Sequence, residues 1–305
     1  MVGSPALSSA QVAPASASDL MVPDAPDYEL FQPPFGHGAY GKVWLARNAI
    51  GQWQALKAIY QEKFGENVTP YEREFSGIRR FKPISHKHPS LLRVDFVSKK
   101  KSAGYFYYVM ELGDSLKPGW EENPSTYVPK DLAGVRAQAD GGRLPLPDCL
   151  RIVLSLAEAV DFLHRQGLTH RDIKPQNVIF VNGQPKLADV GLVGDIKTGE
   201  KGATVLGTPG YMPLDKEDFG TPQADIYSLG KLLYVILNGR DADQFPIVGT
   251  TLLETANPPD FRRVNSIILK ACNPDRSQRF ASAQEMAASL REAQAAVEAD
   301  SPQAS

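Results

Sequence analysis

The sequence has little cysteine and no long apolar run. Only two of its 305 residues are cysteine, Cys149 and Cys272, and their separation matches no metal-binding or redox motif. We expect both to be buried free thiols, which fits a reducing, cytoplasmic location. No stretch approaches the roughly 18–20 apolar residues that a membrane-spanning helix needs. The first 19 residues contain no Lys or Arg, so a secretory signal is not expected.

An excess of charge of one sign is also lacking. The chain has 33 Lys and Arg against 35 Asp and Glu, which gives a net charge of −2. A nucleic-acid-binding protein normally carries a clear excess of positive charge, so we expect no nucleic-acid partner. The apolar fraction of 42% is typical of a packed core, and the length allows one large domain or two small ones.

Two terminal segments have too few bulky apolar residues to fold. Residues 1–27 are rich in Ala, Ser and Pro, and residues 298–305 have a similar polar composition. Such segments cannot bury enough apolar surface to offset the entropy lost on ordering. We therefore predict disordered tails on either side of an ordered region, residues 28–297.

The ordered region begins with strand patterns that one helix interrupts. The predicted strands are Lys42–Arg47, Gln52–Tyr60, Leu92–Val97 and Tyr105–Met110. Between the second and third of them, Thr69 as N-cap, Pro70 in the first turn and Glu72 predict a capping box. This helix is expected to end near Phe81.

The later part of the chain has helical patterns. An apolar face runs over residues 150–163, and Gly167 ends that helix. Asp225–Asn238 is apolar nearly all round, as in a buried helix, and Ser282 with Glu285 predicts a second capping box. A sheet-rich part followed by a helical part predicts an α+β fold of two lobes, with a ligand cleft between them.

Three glycines, Gly36, Gly38 and Gly41, lie in a strand–turn–strand pattern. Glycines let a backbone approach phosphate groups closely and present unobstructed N–H groups. The pattern is weak by itself. Because it leads into a strand rather than a helix, it argues against a dinucleotide-binding βαβ unit.

A lysine lies among apolar residues on the following strand. Lys57 shares a face with Ala55 and Ile59, so it is either an edge residue with a solvated ammonium or a cation directed at an anion. Glu74, on the inward face of the predicted helix, is a candidate counter-ion. A lysine held in this way could bind a triphosphate.

The most informative stretch is residues 170–177, His-Arg-Asp-Ile-Lys-Pro-Gln-Asn, followed by Ala-Asp-Val-Gly at residues 188–191. In order and spacing these residues resemble the signature of the eukaryotic-type protein kinase superfamily, and of its serine/threonine branch. Further similar motifs are Gly-Thr-Pro-Gly-Tyr-Met at residues 207–212 and Asp-Ile-Tyr-Ser-Leu-Gly at residues 225–230. The chain is also similar in style to bacterial members of the family.

The resemblance implies a bilobal, protein-kinase-like α+β fold. Its N-lobe, residues 28–111, is a small antiparallel β-sheet with one helix. A hinge at residues 111–114 leads to a mainly helical C-lobe, residues 115–297. The cofactors implied are ATP and Mg²⁺, and the partners are protein substrates.

The same resemblance implies roles for individual residues. The implied catalytic residues are Lys57, Glu74, Asp172, Lys174 and Thr208. Asp172 accepts the proton of the substrate hydroxyl, Lys174 stabilises the transferring phosphoryl group, and Thr208 bridges the two. Asn177 and Asp189 hold Mg²⁺ through oxygen, as a hard cation requires.

Nucleotide binding is implied for a second set of residues around the cleft. This set is Gly36, Gly38, Gly41, Val43, Ala55, Lys57, Glu111 and Gly113. Val43 and Ala55 form the ceiling of the adenine site, and backbone groups of Glu111 and Gly113 meet the edge of the base.

The chain departs from the family pattern in two motifs. Val190 stands where Phe is usual after the metal-binding Asp. The acid that closes the activation segment aligns with Asp215, in Pro-Leu-Asp, and is expected to pair with Arg279. If the segment is shifted, Glu217 is the partner instead.

The chain is longer than expected after the hinge. Residues 116–145 contain Trp120, Tyr127 and several prolines. This insert is either an elaborated surface loop over the helical lobe or a docking surface for a partner.

The function implied is that of a serine/threonine protein kinase that transfers the γ-phosphoryl group of Mg-ATP to protein hydroxyls. Arg171 precedes the catalytic Asp, which in this family accompanies phosphorylation of the activation segment. Autophosphorylation is therefore expected at Thr204, with Thr198 second.

Two other functions remain open. A pseudokinase would bind nucleotide and signal by conformation, although the chain retains the full set Lys57, Glu74, Asp172, Asn177 and Asp189. A small-molecule phosphotransferase needs no peptide platform, whereas Lys174 and the segment ending at Thr208 imply one.

Overall fold

The first part of the chain folds as an antiparallel sheet with strand order β1-β2-β3-β5-β4. The strands are β1 Tyr28–His37, β2 Gly41–Asn48, β3 Trp53–Tyr60, β4 Val94–Lys100 and β5 Tyr105–Glu111. The structure is a computed structural model, which describes residues 21–38, 40–189, 194–195, 207–249, 252 and 257–300. All four predicted strands are present, with small shifts at their ends.

The register of this sheet decides which side chains face the cleft. β2 pairs with β3 so that Val43 lies opposite Lys57. β3 pairs with β5 so that Ala55 lies opposite Met110. Because directly paired residues and alternate residues of one strand share a face, these four side chains lie on the same side of the sheet. The sheet thereby presents apolar groups around a single lysine.

Helix α1, Thr69–Ser85, connects β3 to β4 and begins differently from the prediction. Its N-cap is Val68, which makes no side-chain capping bond, so the predicted capping box is wrong. The carboxylate of Glu72 instead binds Lys99 of β4 at 2.6 Å. A cation on the neighbouring strand has replaced the backbone N–H as the partner of this acid.

Helix α1 also continues beyond its predicted end at Phe81. Its last turn contains Pro83, yet Ile84 and Ser85 are buried. The Ser85 hydroxyl accepts a hydrogen bond from the backbone N–H of Val94 at 3.1 Å. Packing of this turn against the start of β4 outweighs the cost of a helical proline. The predicted inward face is buried, as shown by Tyr71, Glu74, Ile78 and Phe81.

The second part of the chain is mainly helical. Its helices are α2 Leu132–Gln138, α3 Leu146–Arg165, α4 Pro222–Asn238, α5 Pro258–Ala271 and α6 Ala283–Asp300. Short strands pair as β6 Leu168–Thr169 with β9 Gly194–Asp195, and β7 Val178–Val181 with β8 Gln184–Leu187. These strand pairs lie in the part of the sequence between α3 and α4, where the family-like motifs occur.

Helix α4 is the buried axis of this second lobe. All residues from 224 to 238 are buried, as the nearly continuous apolar pattern predicts. The Thr221 hydroxyl caps the helix by accepting the N–H of Ala224 at 3.3 Å. At Gly230 an added Cβ would lie 2.6 Å from the Cβ of Ala271, so only glycine allows α4 and α5 to pack this closely.

Helix α6 begins with half of the predicted capping box. The Ser282 hydroxyl accepts the N–H of Glu285 at 3.1 Å, as predicted. The Glu285 carboxylate, however, accepts the N–H of Ala281 at 2.7 Å rather than that of Ser282. Two donors are still satisfied at the start of the helix, one of them a residue earlier than expected.

Residues 21–27 pack against the sheet, although we expected them to belong to the disordered tail. The N–H of Asp24 donates to the Tyr105 hydroxyl at 2.7 Å, and the Asp24 carboxylate pairs with Lys100 at 2.9 Å. Ala25 is buried in a cluster that includes Trp44 and Tyr60. The ordered region therefore begins before residue 28, because these residues bury aromatic side chains on the outer face of the sheet.

Both cysteines are free and buried, as predicted. Within the described ranges, no helix is both long enough and apolar enough to cross a bilayer.

Candidate active site

A loop after α3 is held in place by one carboxylate of the buried helix α4. Asp225 accepts the backbone N–H groups of His170 and Arg171, each at 2.8 Å, and lies 2.9 Å from His164 Nε2. Burial raises the pKa of Asp225, but the bonds to His164 and the loop outweigh it and bring the pKa below its ordinary value. This anchor fixes Arg171 in the left-handed conformation, φ 74°, that a non-glycine residue rarely adopts.

The loop presents Asp172 at the centre of a polar cluster. Its Oδ1 accepts the Thr208 hydroxyl at 2.8 Å, and its Oδ2 lies 2.9 Å from the Lys174 ammonium. Lys174 also donates to the Thr208 oxygen at 2.7 Å, and Asn177 Nδ2 donates to Asp172 Oδ2 at 2.8 Å. The structure thus brings together four residues that the sequence analysis assigned to the site, with a carboxylate, a cation and a hydroxyl in mutual contact.

Lys57 forms its ion pair with Asp189 rather than with Glu74, within the part of the chain that the structure describes. The expected pairing of Lys57 with Glu74 is therefore not seen. Burial lowers the pKa of Lys57, but the adjacent Asp189 carboxylate outweighs it and raises the pKa above its ordinary value. Burial likewise raises the pKa of Asp189, and Lys57 reverses this effect to a net lowering. The lysine and this aspartate hold each other in their charged forms.

Glu74 is a buried carboxyl group that forms no ion pair with any residue the structure describes. Its Oε2 has no hydrogen-bond partner among the described residues. Burial raises the pKa of Glu74 to about 7, and the charge of Lys57 offsets only part of this increase. The side chain nevertheless lies near enough to Lys57 and Asp189 for both charges to affect its titration.

We expect Glu74→Gln to change how stability depends on pH. The folded protein keeps a proton on Glu74 that the unfolded chain loses near its ordinary pKa of 4.5. Stability from Glu74 is therefore fully present below about pH 4.5 and is lost as the pH rises to about 7. Glu74→Gln should gain on the order of 3 kcal/mol over wild type across this interval.

Urea unfolding of both proteins at a series of pH values measures this gain. Glu72→Gln makes the same change on a largely exposed acid of α1 and should differ from wild type by less than about 1 kcal/mol. A difference between Glu74→Gln and wild type that does not vary with pH would contradict the raised pKa.

A cleft of ≈ 190 Å³ lies between the two lobes, next to this cluster. Its lining includes Val43, Ala55, Lys57, Glu111 and Gly113 of the predicted nucleotide site. The predicted metal ligands Asn177 and Asp189 also line it. An added Cβ at Gly113 would lie 2.5 Å from Ile179, so glycine lets the connection between the lobes approach the strand β7. The cleft is apolar on its sheet side and charged at its inner end.

The connection between the lobes is fastened by a side chain whose role was not predicted. The carboxylate of Glu111 accepts Lys186 Nζ at 2.7 Å and the N–H of Arg93 at 2.8 Å. The N–H of Glu111 donates to the Arg93 carbonyl at 3.0 Å. Glu111 thereby links the last strand of the sheet to β8 of the second lobe, in addition to lining the cleft.

The glycine-rich turn is closely packed on the sheet. Gly36 pairs with Val43, and the N–H of Gly38 donates to the Gly41 carbonyl at 2.9 Å. A Cβ at Gly41 would lie 2.0 Å from the Ala58 carbonyl oxygen, so no other residue fits there. Gly41 is therefore needed for the fold of the turn, whatever its role towards a ligand.

The predicted partner of Arg279 is wrong. Arg279 pairs with Asp218 at 3.0 Å, and both side chains are only 1% exposed. Asp215 instead accepts the N–H of Glu217 at 2.9 Å at the start of a short turn. Neither Asp215 nor Glu217 is the acid of the pair, because this turn carries the chain inward and buries the next acid, Asp218.

Asn177 and Asp189 fit a divalent cation by their chemistry. Both line the cleft, and the N–H of Ala188 donates to the Asn177 carbonyl at 2.8 Å, which brings the two segments together. A carboxylate and an amide oxygen are hard ligands suited to Mg²⁺, which takes few protein ligands when it also binds phosphates. No group of three or more His, Cys, Asp or Glu suited to a metal occurs in the described ranges. A shared protein–nucleotide metal site thus fits these residues better than a closed protein cage.

Several predicted positions lie outside the described residues. They are Val190 and Gly191 of the predicted metal motif, and the candidate phosphorylation sites Thr198 and Thr204. Two aromatic residues, Phe35 and Tyr127, line the cleft and were not predicted to do so. The position of Phe35 directly before Gly36 could have indicated that it lines the cleft. Tyr127 gives no such indication in the sequence, because only the tertiary fold brings it to the cleft.

The chain belongs to the protein kinase family, since the protein kinase domain model matches residues 31–287. The predicted bilobal kinase fold is thereby confirmed. Serine/threonine-protein kinase PknG of Mycobacterium leprae is 31% identical over 270 residues, which cover 83% of this chain and 31% of that protein. PknG of Mycolicibacterium smegmatis is 27% identical over 268 residues, with the same coverage. CBL-interacting serine/threonine-protein kinase 19 of Arabidopsis thaliana is 33% identical over 214 residues, 67% of this chain and 39% of that kinase.

The chain spans less than half the length of these curated relatives, from 26% of a probable serine/threonine-protein kinase of Caenorhabditis elegans to 45% of a rice CBL-interacting protein kinase. The similarity therefore concerns the kinase domain of these proteins.

We expect Thr208→Val to lower turnover with little loss of stability. Valine keeps the shape of threonine but cannot connect Asp172 and Lys174, which both contact the Thr208 hydroxyl. Losing this bridge should lower kcat by about 10-fold or more, because the positions of both groups are then less fixed. Steady-state kinetics and thermal unfolding measure the two effects. Equal losses in kcat and in stability would indicate that Thr208 is only a turn residue.

Proposed function

We propose that the chain is a serine/threonine protein kinase that transfers the γ-phosphoryl group of Mg-ATP to hydroxyl groups of proteins. The observation that supports this most is the contact among Asp172, Lys174 and Thr208 beside a cleft lined by Lys57 and Asp189. A base for a hydroxyl proton and cations for phosphate oxygens then occupy one site.

The transfer is a single displacement at phosphorus. The substrate hydroxyl oxygen forms a bond to the γ-phosphorus, the bond from that phosphorus to the β–γ bridging oxygen breaks, and its electron pair leaves with ADP. The hydroxyl proton goes to Asp172, which is already fixed by Asn177 and Thr208. Lys174 would neutralise charge on the transferred group, and its contact with Asp172 supports this role.

Mg²⁺ supplies charge neutralisation at the phosphates in this proposal, and Asn177 and Asp189 would hold it. Lys57 and Asp189 form an ion pair in which each keeps the other in its charged form. Lys57 would therefore bind a phosphate, and Asp189 would bind Mg²⁺, without a change in protonation.

The proposed acceptors are Ser and Thr hydroxyls, and the chain's own activation segment is one of them. Arg171 lies next to Asp172, its Nε donates to the Thr169 hydroxyl at 3.2 Å, and its backbone carbonyl lies beside Gly207. A phosphate at Thr204, or second at Thr198, would carry about −2 charge for this guanidinium to bind. We place the protein in the cytoplasm, in keeping with its free cysteines.

One observation favours a second function, a pseudokinase that binds nucleotide and signals without transfer. Glu74 has no ion pair with Lys57 in the described part of the chain. A kinase that remained in this arrangement with nucleotide bound would position the phosphates poorly. The contact of Lys174 with Thr208 beside Asp172 is the reason we prefer catalysis.

A transfer assay with labelled ATP distinguishes these functions. The chain is incubated with Mg²⁺ and a generic protein substrate, and the product is analysed for phosphoserine, phosphothreonine and phosphotyrosine. Phosphoserine or phosphothreonine on the substrate, with phosphothreonine on the chain itself by mass spectrometry, is the expected result. Nucleotide binding without transfer would support the pseudokinase, and phosphorylation of small alcohols alone would support a small-molecule phosphotransferase.

A further inference from the structure

The insert after the hinge is fixed to the second lobe by backbone hydrogen bonds. The N–H of Leu116 donates to the Val128 carbonyl at 2.9 Å, which closes the insert on itself. Near the middle of the insert, the backbone N–H of Lys130 donates to the Asp114 carbonyl at 2.8 Å, and the Lys130 carbonyl accepts the N–H of Phe180 at 2.9 Å. Since Phe180 lies on β7, these backbone bonds tie the insert to the second lobe.

Aromatic side chains of the insert nevertheless contact the sheet of the first lobe. The five rings that connect the lobes are Phe31, Phe35, Trp53, Trp120 and Tyr127, which we call the aromatic latch. Their centroids are 4.9 Å apart for Phe31–Trp53, 5.3 Å for Trp53–Trp120, 5.0 Å for Trp120–Tyr127 and 4.9 Å for Tyr127–Phe35. The contacts begin and end on β1, so the latch joins the two lobes at two places. Tilted and edge-to-face pairs at these distances are favourable.

One of these contacts lies at the cleft. Phe35 of the first lobe and Tyr127 of the insert both line it, and their rings meet at 73°. Tyr127 is only 5% exposed, and its hydroxyl donates to the Gly113 carbonyl at 3.0 Å. The tyrosine is therefore fixed beside the connection between the lobes, and the phenylalanine reaches it from the opposite lobe.

We propose that the Phe35–Tyr127 pair closes the cleft over bound nucleotide and sets the rate at which nucleotide leaves. A nucleotide in this cleft is covered by both rings, and it leaves when the rings separate. The remaining rings of the latch oppose that separation because they also connect the lobes. Phe35 and Tyr127 are thus binding residues, whereas Trp120 is a positioning residue that acts through Tyr127. The inference rests on the proposed function, since it assumes that ATP and ADP are the occupants of the cleft.

Release of a fluorescent ADP from the full chain tests the proposal. The labelled ADP is displaced by excess unlabelled ADP in a stopped-flow instrument, and its equilibrium Kd is measured with the same protein. We expect Tyr127→Ala and Phe35→Leu each to raise the release rate by about tenfold, and Trp120→Leu to raise it by a smaller factor. Tyr127→Phe keeps the ring and should recover most of the wild-type rate.

Two further variants test whether faster release comes from loss of the Phe35–Tyr127 contact rather than from a general loss of packing. Phe96→Leu makes the same change as Phe35→Leu on an exposed ring of β4 outside the cleft, and should leave release unchanged. The double variant of Phe35 and Tyr127 should release nucleotide no faster than the faster single variant, because each change already removes the shared contact. Circular dichroism verifies that each variant is folded.

The outcomes distinguish the latch from the function. Wild-type release rates in folded Phe35→Leu and Trp120→Leu would overturn the proposal, as would strictly multiplicative effects in the double variant or release by Tyr127→Phe as fast as by Tyr127→Ala. If Tyr127→Ala does not fold, Phe35→Leu and Trp120→Leu still decide. Failure of wild type to bind either nucleotide would overturn the proposed function together with the latch, whereas binding with unaltered variants would overturn the latch alone.

Discussion

Asp172→Ala and Lys57→Met are each expected to lower the turnover number by at least about 10²-fold while the chain stays folded. In the proposed mechanism Asp172 takes up the hydroxyl proton, and alanine has no group that could do so. Methionine keeps the length of Lys57 but removes the cation from the cleft. Both effects are measured as kcat with labelled ATP and a protein substrate, with thermal unfolding in parallel.

Asp172→Asn provides the sharper control for folding. Asp172 is buried and meets Lys174, Asn177 and Thr208, so alanine also removes polar contacts. Asparagine keeps an oxygen acceptor but is a far weaker base. We expect the same loss of turnover as with alanine and a melting temperature closer to wild type. Near-normal activity of either variant, in a preparation free of other kinases, would contradict the assignment of Asp172.

The second large effect concerns stability. Asp218→Ala and Arg279→Ala are each expected to cost about 3–5 kcal/mol in the free energy of unfolding. The two side chains form an ion pair at 3.0 Å and are almost fully buried, so either change leaves an unpaired charge inside the protein. Arg279 also donates to the carbonyl of Asn273 at 2.7 Å, which holds the chain before α6. Urea unfolding at fixed pH measures each loss.

The double variant and two neighbouring acids make this prediction specific. Removing both charges leaves neither unpaired, so the double variant should lose much less than the sum of the single losses. Asp215→Ala and Glu217→Ala are the comparison variants, because both acids are exposed. Glu217→Ala should change stability by less than about 1 kcal/mol, and Asp215→Ala should cost about 1 kcal/mol because Asp215 caps the turn. Additive losses for Asp218 and Arg279 would mean that the buried pair contributes nothing as a pair.

Much of the fold could be predicted because its signals are local. The nearly continuous apolar residues of α4 predict a buried helix, and alternation in β2 and β3 predicts the sheet. The ends of α1 could not be predicted in the same way. Glu72 has a cation available on β4, and the turn after Phe81 is stabilised by packing against Val94. Neither partner is near in sequence, so a rule for isolated helices gives a different answer.

The site shows the same division. Asp172, Lys174 and Asn177 lie within six residues of one another, so their proximity follows from the chain itself, and Thr208 was placed by family resemblance. Arg279 pairs with Asp218 rather than Asp215 because a short turn buries Asp218. The spacing of acids in the sequence does not predict which of them is buried. The partner of Lys57 depends on the relative positions of α1 and Asp189. The family resemblance predicts the pair of Lys57 with Glu74, whereas the structure has the pair of Lys57 with Asp189.

The segment before β1 affects where an expression fragment of this protein can begin. A fragment limited to residues 31–287, the extent of the family match, would begin after Asp24 and Ala25 and would end within α6. It would uncover the aromatic outer surface around Trp44 and Tyr105, and would remove the buried residues Leu290, Ala293 and Val297. Exposed apolar surface of this kind promotes aggregation. Expression fragments therefore need to start no later than residue 21 and to keep the whole terminal helix.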